Sequence, residues 1–207
     1  MTKDHPIYLE SISFIRSRLA CNNFNHLENQ VLERLIHTSG DFTVQNLLVF
    51  SKNACKNAQK AIFGGAPILT DTDMAAVAIK SMAKKAHGNH VYSVTQWVKE
   101  DKEISSTKTA YGIEKAWIEL SESGSEKYAP IVVFGSSPTA LEKLLDILQS
   151  SNKFPSLIVG MPVGFIGVEN SKKRLLQTNY PYAVLTSSRG GAAMAAACVN
   201  ALLRSSI

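Results

Sequence analysis

The segment Ile131–Leu148, "IVVFGSSPTALEKLLDIL", decides the fold class. Ile131 to Phe134 reads as a buried strand, Gly-Ser-Ser-Pro as a turn, and Thr139 to Leu148 as a helix. The same strand-turn-helix unit recurs on either side. Pro67 to Thr70 reads as a strand, with Asp71 or Thr72 capping a helix through Ile79. His90 to Thr95 is a strand, and Thr109 to Leu120 has helical spacing at Ile113, Ala116, Trp117 and Leu120. Leu157 to Gly160 is a strand, followed after a loop by a helix around Lys172 to Leu176. Tyr182 to Thr186 is the last strand and Ala192 to Leu203 the last helix. Upstream, Ile7, Ile12, Ile15 and Leu19 repeat at near-helical spacing, as do Leu27, Val31 and Leu35 before Gly40. Leu47 to Phe50 reads as a short strand, and Ser51 caps an alanine-rich helix to about Phe63. Near-continuous apolar strands alternating with helices predict a three-layer α/β/α fold with a mostly parallel sheet covered on both faces. No linker or repeat divides the chain, so residues 1–207 are read as one domain; Trp97 to Thr109 reads as a loop.

Composition narrows the class. The 207 residues are 45% hydrophobic, enough for a large core. No apolar run is long enough to cross a bilayer, and "MTKDHPIYLE" has no signal-peptide core. Cys21, Cys55 and Cys198 are widely spaced and odd in number, which argues against a disulfide framework and for a reducing cytoplasm. The net charge of +5 is mild. It fits solvated surface lysine or an anionic small molecule; no basic run or reader module points to nucleic acid.

Ligands in open α/β sheets bind beyond the carboxyl ends of the strands. Five loops qualify: "TDTDM" from Thr70, the loop after Thr95, "GSSPTAL" from Gly135, "GMPVGF" from Gly160 and "TSSRGG" from Thr186. Helix starts there offer N–H groups to anions. Gly190 and Gly191 permit close approach to the main chain, and Arg189 can fork onto a carboxylate. No GxGxxG, GxxxxGK[ST] or GxSxG is present, which removes support for a nucleotide site or a hydrolase elbow. His5, His26, His87 and His90 read as surface or terminal residues, and no ligand set for a metal emerges. Arg16 and Arg34 read as charges on amphipathic helices. The residues alone therefore stop at a basic α/β protein that binds something anionic.

Longer strings go further. "RLIHTSGDF", "GAPILTDTDM", "GSSPTALEKLL", "PSLIVGMPVGFIGVENSK" and "SSRGGAAMAAACVNALL" occur in this order between about Pro6 and Leu203. Together the chain resembles the precorrin-8X methylmutases, called cobalt-precorrin-8 methylmutases in the anaerobic pathway. The resemblance implies an isomerase of cobalamin biosynthesis that moves a methyl group from C-11 to C-12 on ring C. The product is hydrogenobyrinate, or cobyrinate when cobalt is present. It further implies no added cofactor and no protein-bound metal, a tetrapyrrole substrate, and a homodimer with substrate near the subunit interface. The family's catalytic histidine falls on His37, as proton donor and acceptor at the ring C nitrogen. Ser11 and Arg34 fall on substrate-contacting positions, with Arg16 a turn beyond Ser11. Lys108, Arg189 and Gly190 complete the substrate-binding set.

Two positions depart from the family pattern. "STKTA" carries Lys108 where relatives have arginine, which keeps the charge but loses the planar fork. Ser188 stands where some relatives have a second basic residue, leaving Arg189 alone there. Two other classes stay open at this point: a non-catalytic corrinoid carrier on the same scaffold, and an unrelated α/β enzyme for a phosphorylated metabolite.

Overall fold

A computed structural model describes residues 5–98, 106–122 and 127–207. The loop read between Trp97 and Thr109 lies mostly outside these residues. The chain opens with two helices, α1 (Pro6–Arg18) and α2 (His26–Ser39). A short 3-10 segment, Phe42–Asn46, leads into β1 (Leu48–Phe50) and α3 (Ala54–Phe63). Then follow β2 (Ile68–Thr70), α4 (Asp73–Ala86), β3 (Val91–Ser93), a 3-10 segment Val94–Trp97, and α5 (Lys108–Glu122). The last part is β4 (Ile131–Phe134), α6 (Pro138–Gln149), β5 (Leu157–Gly160), α7 (Val168–Leu176), β6 (Tyr182–Leu185) and α8 (Ala192–Arg204). The six strands form one sheet in the order β1-β6-β5-β4-β2-β3. All pairs are parallel except β1 with β6, where Leu48 faces Leu185 and Phe50 faces Ala183.

Alternation along each strand builds two cores. Ile131, Val133, Leu157, Val159, Ala183 and Leu185 face the layer formed by α1, α2, α3, α4 and α8. Val132, Phe134, Ile158 and Val184 face the opposite layer of α5, α6 and α7. These side chains are essentially inaccessible to water, and burying each large one contributes roughly 1.5–3 kcal/mol. The expected three-layer α/β/α architecture is thus the observed one.

Local chemistry adjusts the sequence-based bounds. Ser51 does not cap α3; its hydroxyl accepts from Tyr182 N–H at 2.9 Å, extending the β1–β6 ladder, while Asn53 enters the helix in the left-handed region. Thr72, not Asp71, caps α4, which runs on to Ala86 because Ala83 continues the buried stripe of Ala75, Ala76 and Ile79. The strand after His90 ends at Ser93, where the Ser93 hydroxyl accepts from Thr95 N–H and starts a 3-10 turn. Helix α7 begins four residues earlier than Lys172, behind Gly167 at φ +74°. Ser137 caps α6 by accepting from Ala140 N–H at 3.1 Å, with Pro138 at the first helical position.

Candidate active site

The site starts from the way α2 begins and ends. Asn25 and Glu28 form a reciprocal capping box at its start. Gly40, at φ +64°, ends it in the left-handed conformation that favours glycine. His37 therefore lies in the final turn, with its side chain at the surface. Helix α1 packs on α2 through Ile12 and Ile15, which are buried. That packing brings Ser11 across from His37: Ser11 Oγ and His37 Nδ1 lie 2.7 Å apart. Nδ1 is thereby engaged, so chemistry toward a ligand falls to Nε2.

Tyr8, one turn before Ser11, meets the imidazole edge-on with ring centroids 5.3 Å apart. The Arg34 guanidinium lies 5.6 Å from the centre of the Tyr8 ring. Partial burial and the positive charge of Arg34 hold the His37 pKa below its ordinary value, so the neutral imidazole is favoured near neutrality. Tyr8, Arg34 and Arg16 line one groove of about 340 Å³ between α1, α2 and the end of α8. Arg16 spends its fork inside the protein, donating to both carboxylate oxygens of Glu33 at 2.7 and 2.9 Å.

The other three residues of the expected set lie elsewhere. Lys108 opens α5, on the opposite face of the sheet from α1 and α2. Arg189, in the β6–α8 loop, donates to Asp41 and to Thr43 Oγ1, beyond the end of α2. Gly190 sits at φ +156°, and a Cβ there would fall 2.0 Å from the Met161 carbonyl oxygen. The close approach that this glycine permits is to the protein's own β5–α7 loop.

The strand-end loops likewise satisfy one another. The buried Asp71 carboxylate accepts from the N–H groups of Gly135, Ser136 and Ser137 at 3.0, 2.6 and 2.7 Å. Burial nonetheless raises its pKa, with those three donors pulling the other way. Gly164 N–H donates to Ser188 O, and Gly191 N–H to Met161 O. Lys172, fully buried, donates to the carbonyls of Ser187 and Arg189 at 2.8 and 2.6 Å. A phosphate at the Gly135 loop would find its N–H donors already taken. Among the described residues, no group of three or more His, Cys, Asp or Glu is placed to hold a metal ion, and no helix is long and apolar enough to cross a membrane.

The family model described as precorrin-8X methylmutase matches residues 6–205. The chain belongs to the precorrin-8X methylmutase family. Members of the family are isomerases of cobalamin biosynthesis. The precorrin-8X methylmutase of Sinorhizobium sp. is 34% identical over 206 residues, covering 97% of this chain and 94% of that protein. The cobalt-precorrin-8 methylmutase of Methanocaldococcus jannaschii is 32% identical over 184 residues, covering 88% and 81%. The crystal structure of precorrin-8X methylmutase from Thermus thermophilus superposes with a TM-score of 0.84 at 29% identity, covering 97% of this chain and 95% of that one.

Among the groove residues that sequence reasoning missed are Tyr8, Gln30 and Arg204. Tyr8 had a signal, since its i,i+3 spacing to Ser11 puts both on one face of α1. Arg204 had none, because only the packing of α8 beside α2 brings it there.

Proposed function

We propose that this protein moves the methyl group from C-11 to C-12 on ring C of precorrin-8X or its cobalt form, yielding hydrogenobyrinate or cobyrinate. His37 exchanges a proton with the ring C nitrogen in this reading. The observation that carries it is the 2.7 Å contact between Ser11 Oγ and His37 Nδ1, beside Arg34, in a chain of this family. With the Ser11 hydroxyl donating to Nδ1, the neutral imidazole carries its proton on Nε2. Nε2 then donates toward the macrocycle nitrogen as charge develops during the shift, and takes the proton back as the product forms. The methyl group migrates within one molecule, so no external nucleophile is needed. A positioned acid of this kind supplies about 10²–10⁴-fold, and the rest falls to holding the macrocycle in a reactive conformation. Arg34 serves a carboxylate arm of the substrate; Arg16, with its fork on Glu33, lines the same groove, and Arg16, Lys108, Arg189 and Gly190 belong to the same proposed binding set. Lys108 lies across the sheet from His37, so a ligand on both needs a surface that one copy does not offer. That placement supports a homodimer with substrate near the interface, and the reading puts the enzyme in the cytoplasm with no added cofactor.

The test is to mix purified protein with precorrin-8X and with its cobalt form and follow the visible spectrum. The migration changes the conjugation and shifts the absorption. His37→Ala is expected to lower the rate about 10²–10⁴-fold while retaining tetrapyrrole binding. Absence of any spectral change with either substrate refutes the enzyme reading and leaves the carrier. The phosphorylated-metabolite reading loses ground at the Gly135 loop, one of the two it could use, because Asp71 occupies the N–H groups there.

A further inference from the structure

The carboxyl-end rim of the sheet carries an arginine that is tied down without being used up. Strand β1 runs antiparallel to β6, so its start lies at that rim: Leu48 faces Leu185, and Thr186 N–H donates to Leu47 O at 2.9 Å. The end of α2 and the 3-10 segment Phe42–Asn46 arrive there with it. Asp41, four residues beyond His37, caps that segment. Its Oδ1 accepts from Thr43 N–H at 2.9 Å and from the Thr43 hydroxyl at 2.8 Å. Its Oδ2 accepts from Arg189 Nη1, which also donates to Thr43 Oγ1 at 2.8 Å. The three side chains thus close a ring of hydrogen bonds. The Arg189 main chain is held as well. Buried Lys172 donates to the carbonyls of Ser187 and Arg189, with Ser187 in the left-handed region at φ +64°.

A guanidinium has five N–H donors. The two on Nη1 go to Asp41 and Thr43. Nε and Nη2 form the edge that grips a carboxylate through two parallel bonds. Among the described residues that edge of Arg189 has no partner, and the side chain is 51% exposed. Arg16 is the contrast: it places Nε and Nη2 themselves on Glu33 and spends that edge inside the protein.

We infer that Asp41 is a positioning residue: with Thr43 it holds Arg189 so that the Nε–Nη2 edge is presented to a carboxylate arm of the substrate. The inference rests on the proposed reading for the identity of the substrate and for Arg189 as a contact to it. A long exposed side chain loses rotamer freedom when it closes on a ligand, and the ring takes that loss before the ligand arrives. Asp41 directly follows Gly40, which ends α2. The same ring therefore ties the rim loop to the helix that carries His37, and an arm on Arg189 is registered against the imidazole.

The experiment is an absorbance titration of wild type and variants with hydrogenobyrinate and with the same macrocycle bearing its arms as amides. Asp41→Asn keeps an oxygen to cap Thr43 N–H but cannot hold the guanidinium as a carboxylate does, so it separates the two jobs. It should weaken binding of the acid about three- to tenfold, the cost of ordering one long side chain, and leave the amide within about twofold. Thr43→Val, which removes the second acceptor of Nη1, should shift acid binding the same way. Arg189→Gln should weaken acid binding about tenfold or more, and adding Asp41→Asn to it should change that by no more than about twofold. In turnover, Asp41→Asn should raise KM for precorrin-8X more than it lowers kcat. Equal loss for acid and amide would make Asp41 merely structural. A loss that persists in the Arg189→Gln background would mean that Asp41 acts elsewhere. Tighter acid binding by Asp41→Asn would mean that Asp41 competes with the arm. Each of these overturns the inference, as does unchanged acid binding by Asp41→Asn or by Arg189→Gln, and none of them touches the proposed reaction if turnover persists. The expected binding pattern without any turnover would sink the proposed reaction and leave the positioning role standing. Wild-type protein that binds neither macrocycle would overturn both.

Discussion

Lys172 offers the sharpest quantitative test of how this fold is held. The residue is 1% exposed, and its ammonium donates to Ser187 O and Arg189 O, which hold the loop before α8. Neither partner is a carboxylate; Glu169, one turn away, opposes the effect of burial from a distance. Burial pushes the amine down to about 8 from 10.5. Replacing Lys172 by Met fills similar space and removes the titration. It also leaves two carbonyls without that donor, at about 1–3 kcal/mol each, so the variant is less stable throughout. The diagnostic is how the gap to wild type changes with pH. As pH rises from about 8 toward 10.5, the unfolded chain holds this proton more than the folded one does, so wild-type stability climbs across that window and is lost as pH falls. Between about pH 7.5 and about pH 9.5 the linkage relation gives roughly 2 kcal/mol for this one group. Urea unfolding of both proteins at the two pH values should show the gap widening by that amount, other titrations cancelling in the difference. A gap constant to within about 0.5 kcal/mol would refute the claim that the amine is desolvated.

Three further outcomes are expected. Gly190→Ala combines a φ of +156° with a 2.0 Å clash against Met161 O, which also accepts from Gly191 N–H at 2.9 Å; it should lose about 3 kcal/mol or more in chemical denaturation, and a loss under about 1 kcal/mol would show that the two loops separate freely. Asp71→Ala strands three N–H groups at the start of α6 and should lower stability by about 3–5 kcal/mol; an unchanged melting temperature would contradict the assigned carboxylate role. Arg34→Gln removes the charge that helps depress the His37 pKa, so an NMR titration of the imidazole should move upward toward 6.5, and no movement would place the cause in burial alone.

Much of the fold was legible because its signals are local. Ile131 to Phe134 and Leu157 to Gly160 are strands at the bounds their apolar runs give, and Ser137-Pro138 starts a helix by its own chemistry. The points that the sequence misread or left open cluster where a residue had two local options and a distant partner chose. Ser51 has a capping side chain, yet Tyr182 claimed it through the antiparallel β1–β6 pair. Asp71 and Thr72 are both good caps for α4; Thr72 took the role because Asp71 turned to the N–H groups of Gly135, Ser136 and Ser137, 64 to 66 residues away. In the candidate site, Ser11 lies against His37 and the Arg34 charge acts on that imidazole, while Arg189 and Arg16 turn out to face carboxylates of the protein itself.

By itself the sequence determined the strand-turn-helix units, the ends of α2 that leave His37 in a last turn, and the family. Those features depend on interactions within a few residues, or on strings that can be read in order. Only the tertiary structure decided which cations share a groove. It placed Arg204 on Tyr8 and put Lys108 on the far face of the sheet. The physical reason is that a side chain's final partner is fixed by which sheet face its helix covers and by the packing of helices distant in sequence. Neither leaves a mark in the spacing of nearby residues.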